Sequence, residues 1–376
     1  MIKQLSVFFL TGLLITSCSP KKTSSQQTND ELTMLIGTYT SGTGKGICTF
    51  RFNTETAEST PLAETEVSNA SYFALSADGK FVYAVNEHND DKAAVSAYTF
   101  DKEKGTLQLL NSQPTKGGAP CYIITTGKNV ITANYSGGSI SVFPLQEDGS
   151  LLPVSLVPFT GSGLDENRQA SPHLHCVHLT PDGKYLFAAD LGTDKIHKFV
   201  INSQADASTP FLTAGEPDAF PLPAGSGPRH ITFAPNGEYA YIINELSGQV
   251  IAFTYADGTL NEIQSIAADT LNAQGSADIH ISGDGKFLYA SNRLKADGIA
   301  IFKIDEATGT LAKVGYQLTG IHPRNFIITP NDKFLLVACK DSNVIQIYER
   351  NKETGLLTDT KKDIRLDAPV CVKFAD

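Results

Sequence analysis

The chain carries eight histidines and seven arginines, and several of them fall into short runs. Ser171-Pro172-His173-Leu174-His175, Gly227-Pro228-Arg229-His230 and His322-Pro323-Arg324-Asn325 are three such runs. Asn86-Glu87, Asn134-Tyr135, Asn244-Glu245, Asn292-Arg293 and Lys340 each follow an apolar stretch. A neutral imidazole is the side chain that accepts a proton near neutral pH. A guanidinium presents paired donors that suit a carboxylate or a phosphate. The string His173-x-His175-x-x-His178 invites a zinc reading. In a strand, however, alternation aims only the first two histidines the same way, and no spaced acidic or third histidine ligand is evident. No transition metal is therefore expected. By the same alternation His178 is assigned to packing, and His230 points away from its neighbour Arg229 into a supporting position.

The elements that must position these residues form an internal repeat. Its copies include 71–87, 175–190, 230–245, 278–293 and 325–340, with a shortened one at 121–135. Each is an alternating apolar strand, a tight turn such as Asp78-Gly79, Asp182-Gly183, Asn236-Gly237 or Asp284-Gly285, and a second β-rich strand. Asp-Gly and Asn-Gly favour hairpins because both central residues tolerate positive φ. A third strand (139–143, 195–199, 249–253, 298–302, 343–347) and a further turn complete a four-stranded unit. The copies recur at about the length of one propeller blade. No long stretch has a helical period, so helix content should be low. Residues 368–374 read as an inner strand with nothing after it, and 34–39 and 46–50 as second and third strands with nothing before them. Joining the two ends closes a seven-bladed β-propeller and leaves no free sheet edge.

That geometry sorts the polar residues. The Asp-Gly hairpins lie on one face of the disc. Inner-strand starts and second-strand ends therefore share the opposite face, around the mouth of the central channel, where ligands are expected. Arg229, Arg293 and Arg324 all fall there, a local cationic patch in a protein of net charge −10. The same acidity argues against general nucleic-acid binding. Asn86, Asn134, Asn244 and Asn292, with Glu87 and Glu245, form a ring of oxygen donors of the kind Ca²⁺ prefers. No cofactor is expected, with calcium as the alternative and strand-end capping as the plain reading of the asparagines.

The N-terminus reads as an export signal. Lys3 precedes an apolar stretch from Leu5 to Ile15, too short to span a bilayer. Ile15-Thr16-Ser17-Cys18 then resembles a bacterial lipobox, which makes Cys18 the expected lipidation site. The expected organisation is a leader over 1–18, a flexible tether over 19–32 and the propeller over 33–376. The expected location is the periplasmic side of a bacterial membrane, with membrane contact only through the lipid. Cys48, Cys121, Cys176, Cys339 and Cys371 are odd in number and mostly sit in apolar runs, so buried free thiols are expected. A closed propeller needs no partner, and a monomer is expected.

Ile36-Gly-Thr-Tyr39, the Pro-His-x-His run at 172–175, Gly-Pro-Arg-His at 227–230, Asn-Glu-Leu at 244–246 and Ser-Asn-Arg at 291–293 occur together in order. In these the chain from about residue 33 onward resembles the lactonase family of seven-bladed propellers, which includes 6-phosphogluconolactonases and carboxymuconate-lactonising enzymes. The resemblance implies an active centre of His173 or His175, Arg229, Glu245 and Arg293, and a small-molecule lactone as substrate. In lactone opening a histidine accepts the proton of the attacking water, Glu245 orients it or is itself the base, and Arg229 or Arg293 meets the oxyanion. Arg324, Lys340, Asn134, Tyr135 and Glu87 are then candidates for holding the rest of the substrate. A phosphorylated pentose-pathway lactone is made in the cytoplasm, so an exported enzyme fits an unphosphorylated sugar lactone better. A muconate-type ring-closing isomerase and a non-catalytic glycan- or protein-binding propeller are the alternatives.

Overall fold

The computed structural model describes residue 1 and residues 30–205 and 209–375; the expected leader, Cys18 and most of the tether lie outside them. Seven antiparallel sheets stand in a ring, each a blade whose first-named strand lines the axis. Blade I is built from Pro369–Ala375, Glu31–Thr38, Gly46–Asn53 and Ser59–Glu66. The closure expected from the two ends is therefore present, with Thr33 to Thr38 paired antiparallel to Ala375 to Pro369. The strand begins at Glu31, slightly before the expected boundary at 33, because Glu31 and Leu32 already pair with Asn53 and Phe52. Blades II to VI begin with inner strands Phe73–Leu75, Pro120–Thr125, Leu174–Leu179, Pro228–Phe233 and Ser276–Ile281, and blade VII with Pro323–Ile328. The only helical turn among the described residues is Lys340–Ser342.

The hairpin glycines Gly79, Gly183, Gly237 and Gly285 all adopt positive φ, the conformation the repeat required. A second series of glycines locks neighbouring blades together. Gly149, Gly258, Gly309 and Gly355 sit in the outer hairpins of blades III, V, VI and VII with φ between 69° and 84°. Each lies against a ring of the preceding blade: Phe81, Tyr185, Tyr239 and Phe287 respectively. A side chain there would meet both a strained backbone and an aromatic wall. Tyr241 and Tyr289 reinforce the contact by donating to the Gly309 and Gly355 carbonyls at 2.9 Å. The apolar core lies between blades, as where Phe52 of blade I packs on Phe334 of blade VII.

One regular feature breaks simple strand alternation. The inner strands of blades III to VII each shift register near their start, at Pro120/Tyr122, Leu174/Cys176, Pro228/His230, Ser276/Ile279 and Pro323/Asn325. Such a bulge lets consecutive side chains turn to the same side. His230 Nε2 accordingly lies 3.1 Å from Arg229 Nη1, and the expectation that the two point apart is corrected.

Candidate active site

Glu245 follows the second strand of blade V and ends almost fully enclosed. Its Oε2 accepts from Arg229 Nε at 2.9 Å and pairs with Arg293 Nη2 at 3.1 Å; its Oε1 accepts from Arg168 Nη2 at 2.6 Å. One carboxylate is thus shared by three guanidiniums drawn from three places in the ring. Burial alone would raise the Glu245 carboxyl. Arg293, Arg229 and Arg168 outweigh it and hold the group at about 2, so it is an anion at any pH the protein meets.

Arg168 was not among the residues singled out from sequence. It stands on the connection between the outer strand of blade III, Ser155–Pro158, and the inner strand of blade IV. Its backbone is set by an Asx turn at Asp165, whose Oδ1 accepts from the Asn167 and Arg168 amides. The wholly buried Gln169 then pins the loop, donating to the Leu191 carbonyl and to Asp194 Oδ1, both at 2.8 Å. Asp194 also accepts from the Gly225 and Gly227 amides at 2.7 Å, tying this loop to the run that presents Arg229.

The two candidate histidines stand at the start of the blade IV inner strand, against blade III. His173 Nδ1 is 2.9 Å from the Tyr135 carbonyl. A carbonyl only accepts, so in the neutral ring Nδ1 carries the proton and Nε2 the lone pair. The Tyr135 ring stacks on His173 at 4.4 Å and meets His175 edge-on at 5.5 Å. His175 is buried, with Nδ1 3.6 Å from Cys121 Sγ. Burial first, then the charges of Arg229, His230 and Arg324, push its protonation far below neutral pH.

Across the mouth, Arg324 Nη2 pairs with Glu87 Oε2 at 3.8 Å, and Tyr39 donates to the same oxygen at 2.9 Å beneath the Arg324 guanidinium. Blades I, II and VII meet here. Four guanidiniums and the two carboxylates of Glu245 and Glu87 thus come together around the mouth. Below it, Tyr72 of blade II stacks on Tyr122 of blade III at 4.3 Å, and His230 of blade V packs edge-on against Tyr122 at 5.0 Å. Side chains from blades this far apart around the ring touch only on the axis, so the channel is filled beneath the mouth.

Other candidates sit differently. Asn134 is sealed inside blade III, accepting from Thr132 Oγ1 at 2.9 Å and donating to Ser139 Oγ at 3.0 Å and Ser141 Oγ at 2.8 Å. Its amide takes the hydroxyls of the adjoining strand and is not open to a substrate, a correction to its expected role. Asn86 and Asn292 likewise bond to neighbouring hydroxyls and carbonyls, and Asn244 donates to the Gln249 carbonyl at 3.0 Å while its buried Oδ1 is unpartnered. Among the described residues no group of three or more His, Cys, Asp or Glu could hold a metal. Lys340 pairs with Asp341 at 2.7 Å. His178 bonds the Leu179 carbonyl at 2.6 Å and packs on Phe233. The five described cysteines are buried free thiols.

The lactonase family, described as a 7-bladed β-propeller, matches residues 33–374, and the chain belongs to it. This places it among lactone hydrolases, a class of carboxylic ester hydrolases. A 6-phosphogluconolactonase of Bacillus subtilis is 40% identical over 350 residues, covering 90% of this chain and 97% of that protein. One from Formosa agariphila is 39% identical, covering 88% and 96%. Among solved structures, a Bacteroides fragilis protein provisionally ascribed the same activity is 68% identical with a TM-score of 0.92, covering 93% of this chain and 99% of that one. A periplasmic gluconolactonase of Pseudomonas aeruginosa is 33% identical with a TM-score of 0.87, covering 92% and 99%.

Proposed function

We propose that this protein hydrolyses an unphosphorylated sugar lactone at the channel mouth, with His173 as general base and Arg229 and Arg293 as the groups that meet the oxyanion. The observation that carries the reading is the single carboxylate of Glu245 holding three guanidiniums beside a histidine whose Nε2 is left as an acceptor. Water attacks the ring carbonyl and its proton passes to His173 Nε2. The carbonyl oxygen becomes anionic and is met by guanidinium N–H groups, an effect worth about 3–4 kcal/mol per donor in studied enzymes. The tetrahedral centre collapses, the ring C–O bond breaks, and the imidazolium returns the proton to the departing alkoxide, leaving a hydroxy acid.

Glu245 is assigned a holding role. A carboxylate at about 2, fully engaged by arginines, is a poor proton acceptor. Arg324, Glu87, Lys340 and the Tyr135 ring are assigned to the remainder of the substrate. His175, kept neutral first by burial and then by the surrounding cations, is assigned to contact it as an uncharged polar group.

Export with a lipid on Cys18 is part of the same proposal. The leader pattern supports it, and one relative is a periplasmic gluconolactonase. The test is a panel of phosphorylated and unphosphorylated aldonolactones, followed by proton release with the spontaneous rate subtracted. The highest kcat/KM is expected for an unphosphorylated member. Turnover of phosphorylated members alone would overturn the substrate assignment, and turnover of none would overturn the hydrolase reading.

A further inference from the structure

The two guanidiniums assigned to the oxyanion are held in the same way by different parts of the chain. Arg229 Nη1 lies 3.1 Å from His230 Nε2, and His230 Nδ1 lies 2.7 Å from Asp278 Oδ1. Arg293 Nη1 lies 3.2 Å from His322 Nε2, and His322 Nδ1 lies 3.0 Å from Asp341 Oδ2. In the first set the histidine is the next residue of the same strand. In the second it comes from the connection into the next blade, with a left-handed backbone of φ 62°. Two unrelated stretches of sequence therefore arrive at one arrangement.

The chemistry of each group fixes the protons. Arginine can only donate, so each histidine must offer Nε2 as a lone pair. Its one ring proton then sits on Nδ1 and is given to the aspartate. Each guanidinium has a second anchor on a backbone carbonyl: Arg229 Nη1 on Ala277 at 2.6 Å and Arg293 Nε on Gly275 at 2.8 Å. With Glu245 as the third contact, both guanidiniums are fixed in plane and direction. Without the histidines, Arg229 Nη1 would rest on the Ala277 carbonyl alone, and Arg293 Nη1 would lose the His322 contact that fixes its edge.

We propose that Arg229–His230–Asp278 and Arg293–His322–Asp341 are paired relays in which His230, Asp278, His322 and Asp341 are positioning residues that aim the two guanidiniums at the reacting carbonyl. The inference rests on the hydrolase reading above. A neutral imidazole is a condition of the arrangement, since a second ring proton would set N–H against N–H. The surroundings enforce it. His230 faces Arg229, Asp278, His280, His175, Tyr72 and Tyr122; His322 faces Arg293, Arg324, Lys340, Asp341 and Asp297. Burial first, then the arginine charges, bring both histidines down to about 4.

The more exposed relay gives the cleaner experiment, because Asp341 is 44% exposed and its loss threatens the fold least. His322→Ala, His322→Gln, Asp341→Asn and Arg293→Ala are compared in the full chain for kcat and KM, on the best lactone of the panel. His322→Ala is expected to lower kcat about tenfold or more with KM within a factor of about two, as for other groups that orient a reacting one. His322→Gln, whose amide oxygen still accepts from Arg293, is expected to recover most of it. Asp341→Asn removes the charge that holds the Nδ1 proton, so its kcat is expected to fall, by less than in His322→Ala.

A parental kcat in His322→Ala while Arg293→Ala is inactive overturns the relay and leaves the hydrolase reading standing. Equal loss in His322→Ala and His322→Gln also overturns it. Parental rates in Arg293→Ala overturn the reading on which it rests.

Discussion

Replacing Glu245 by glutamine asks whether this carboxylate holds the site together or performs the proton transfer. The side chain keeps its shape and loses its charge. Three guanidiniums, with contacts of 2.6, 2.9 and 3.1 Å to the carboxylate, would then face one another without a counter-ion. A unit-charge pair at such range is worth about 5–6 kcal/mol at an effective dielectric constant near 20. Removing one partner of a buried pair typically costs about 3–5 kcal/mol. Arg293 bears most of the loss: burial and the neighbouring arginines already push it down to about 9, and Glu245 is what opposes them.

Glu245→Gln is therefore expected to lower the urea midpoint clearly and to lose turnover as the guanidiniums splay. The wild-type pH response has the same origin. The Glu245 carboxyl is depressed from 4.5 to about 2, so its stabilisation is present above about 4.5 and is lost as pH falls through about 2. That shift corresponds to about 3 kcal/mol. In the variant this part of the acid dependence disappears. An unchanged urea midpoint accompanied by complete loss of turnover would refute the reasoning and restore Glu245 as the base.

Further outcomes are expected. His173→Ala should lower kcat by about 10²–10⁴ with a modest effect on KM, the range for a general base; proton-release assays check it, and retention of the parental rate moves the base elsewhere. Gly192→Ala would put a methyl group against the Ser171 carbonyl, so Ser171 to His173 must shift. Loss of kcat greater than the loss of thermal stability is the expected sign, read from rate and melting curves on one preparation. Cys18→Ser should move the protein from the membrane to the soluble fraction of the cell envelope, measured by fractionation and immunoblotting. Unchanged membrane association would remove the lipid anchor.

The fold was legible because each blade repeats its own local chemistry. The Asp-Gly hairpins mark one face of the disc, and antiparallel pairing sends Arg229, Glu245, Arg293 and Arg324 to the other without any knowledge of contacts. Two things were hidden. The bulge near the inner-strand starts of blades III to VII leaves no composition signal, so strict alternation misdirected His230 and concealed its contact with Arg229. Arg168 lies on an irregular loop, where repeat and parity say nothing. Its signals are the Asp-Glu-Asn-Arg-Gln stretch just before the histidine run and its being one of only seven arginines. Asn134 was misread for the opposite reason: strand-end placement was correct, but placement does not say whether an amide faces the channel or its own sheet.

The strand that seals the ring also reaches the chemistry. Val372, in Pro369–Ala375, donates its amide to Asn325 Oδ1 at 2.8 Å, and Asn325 Nδ2 donates to Asp278 Oδ2 at 2.5 Å. That contact orients the asparagine amide so that its nitrogen, not its oxygen, meets the aspartate beneath Arg229. A chain still waiting for this strand lacks the restraint, so catalytic competence arrives only when the circle is shut. An immature or C-terminally trimmed molecule would then be silent rather than half-active.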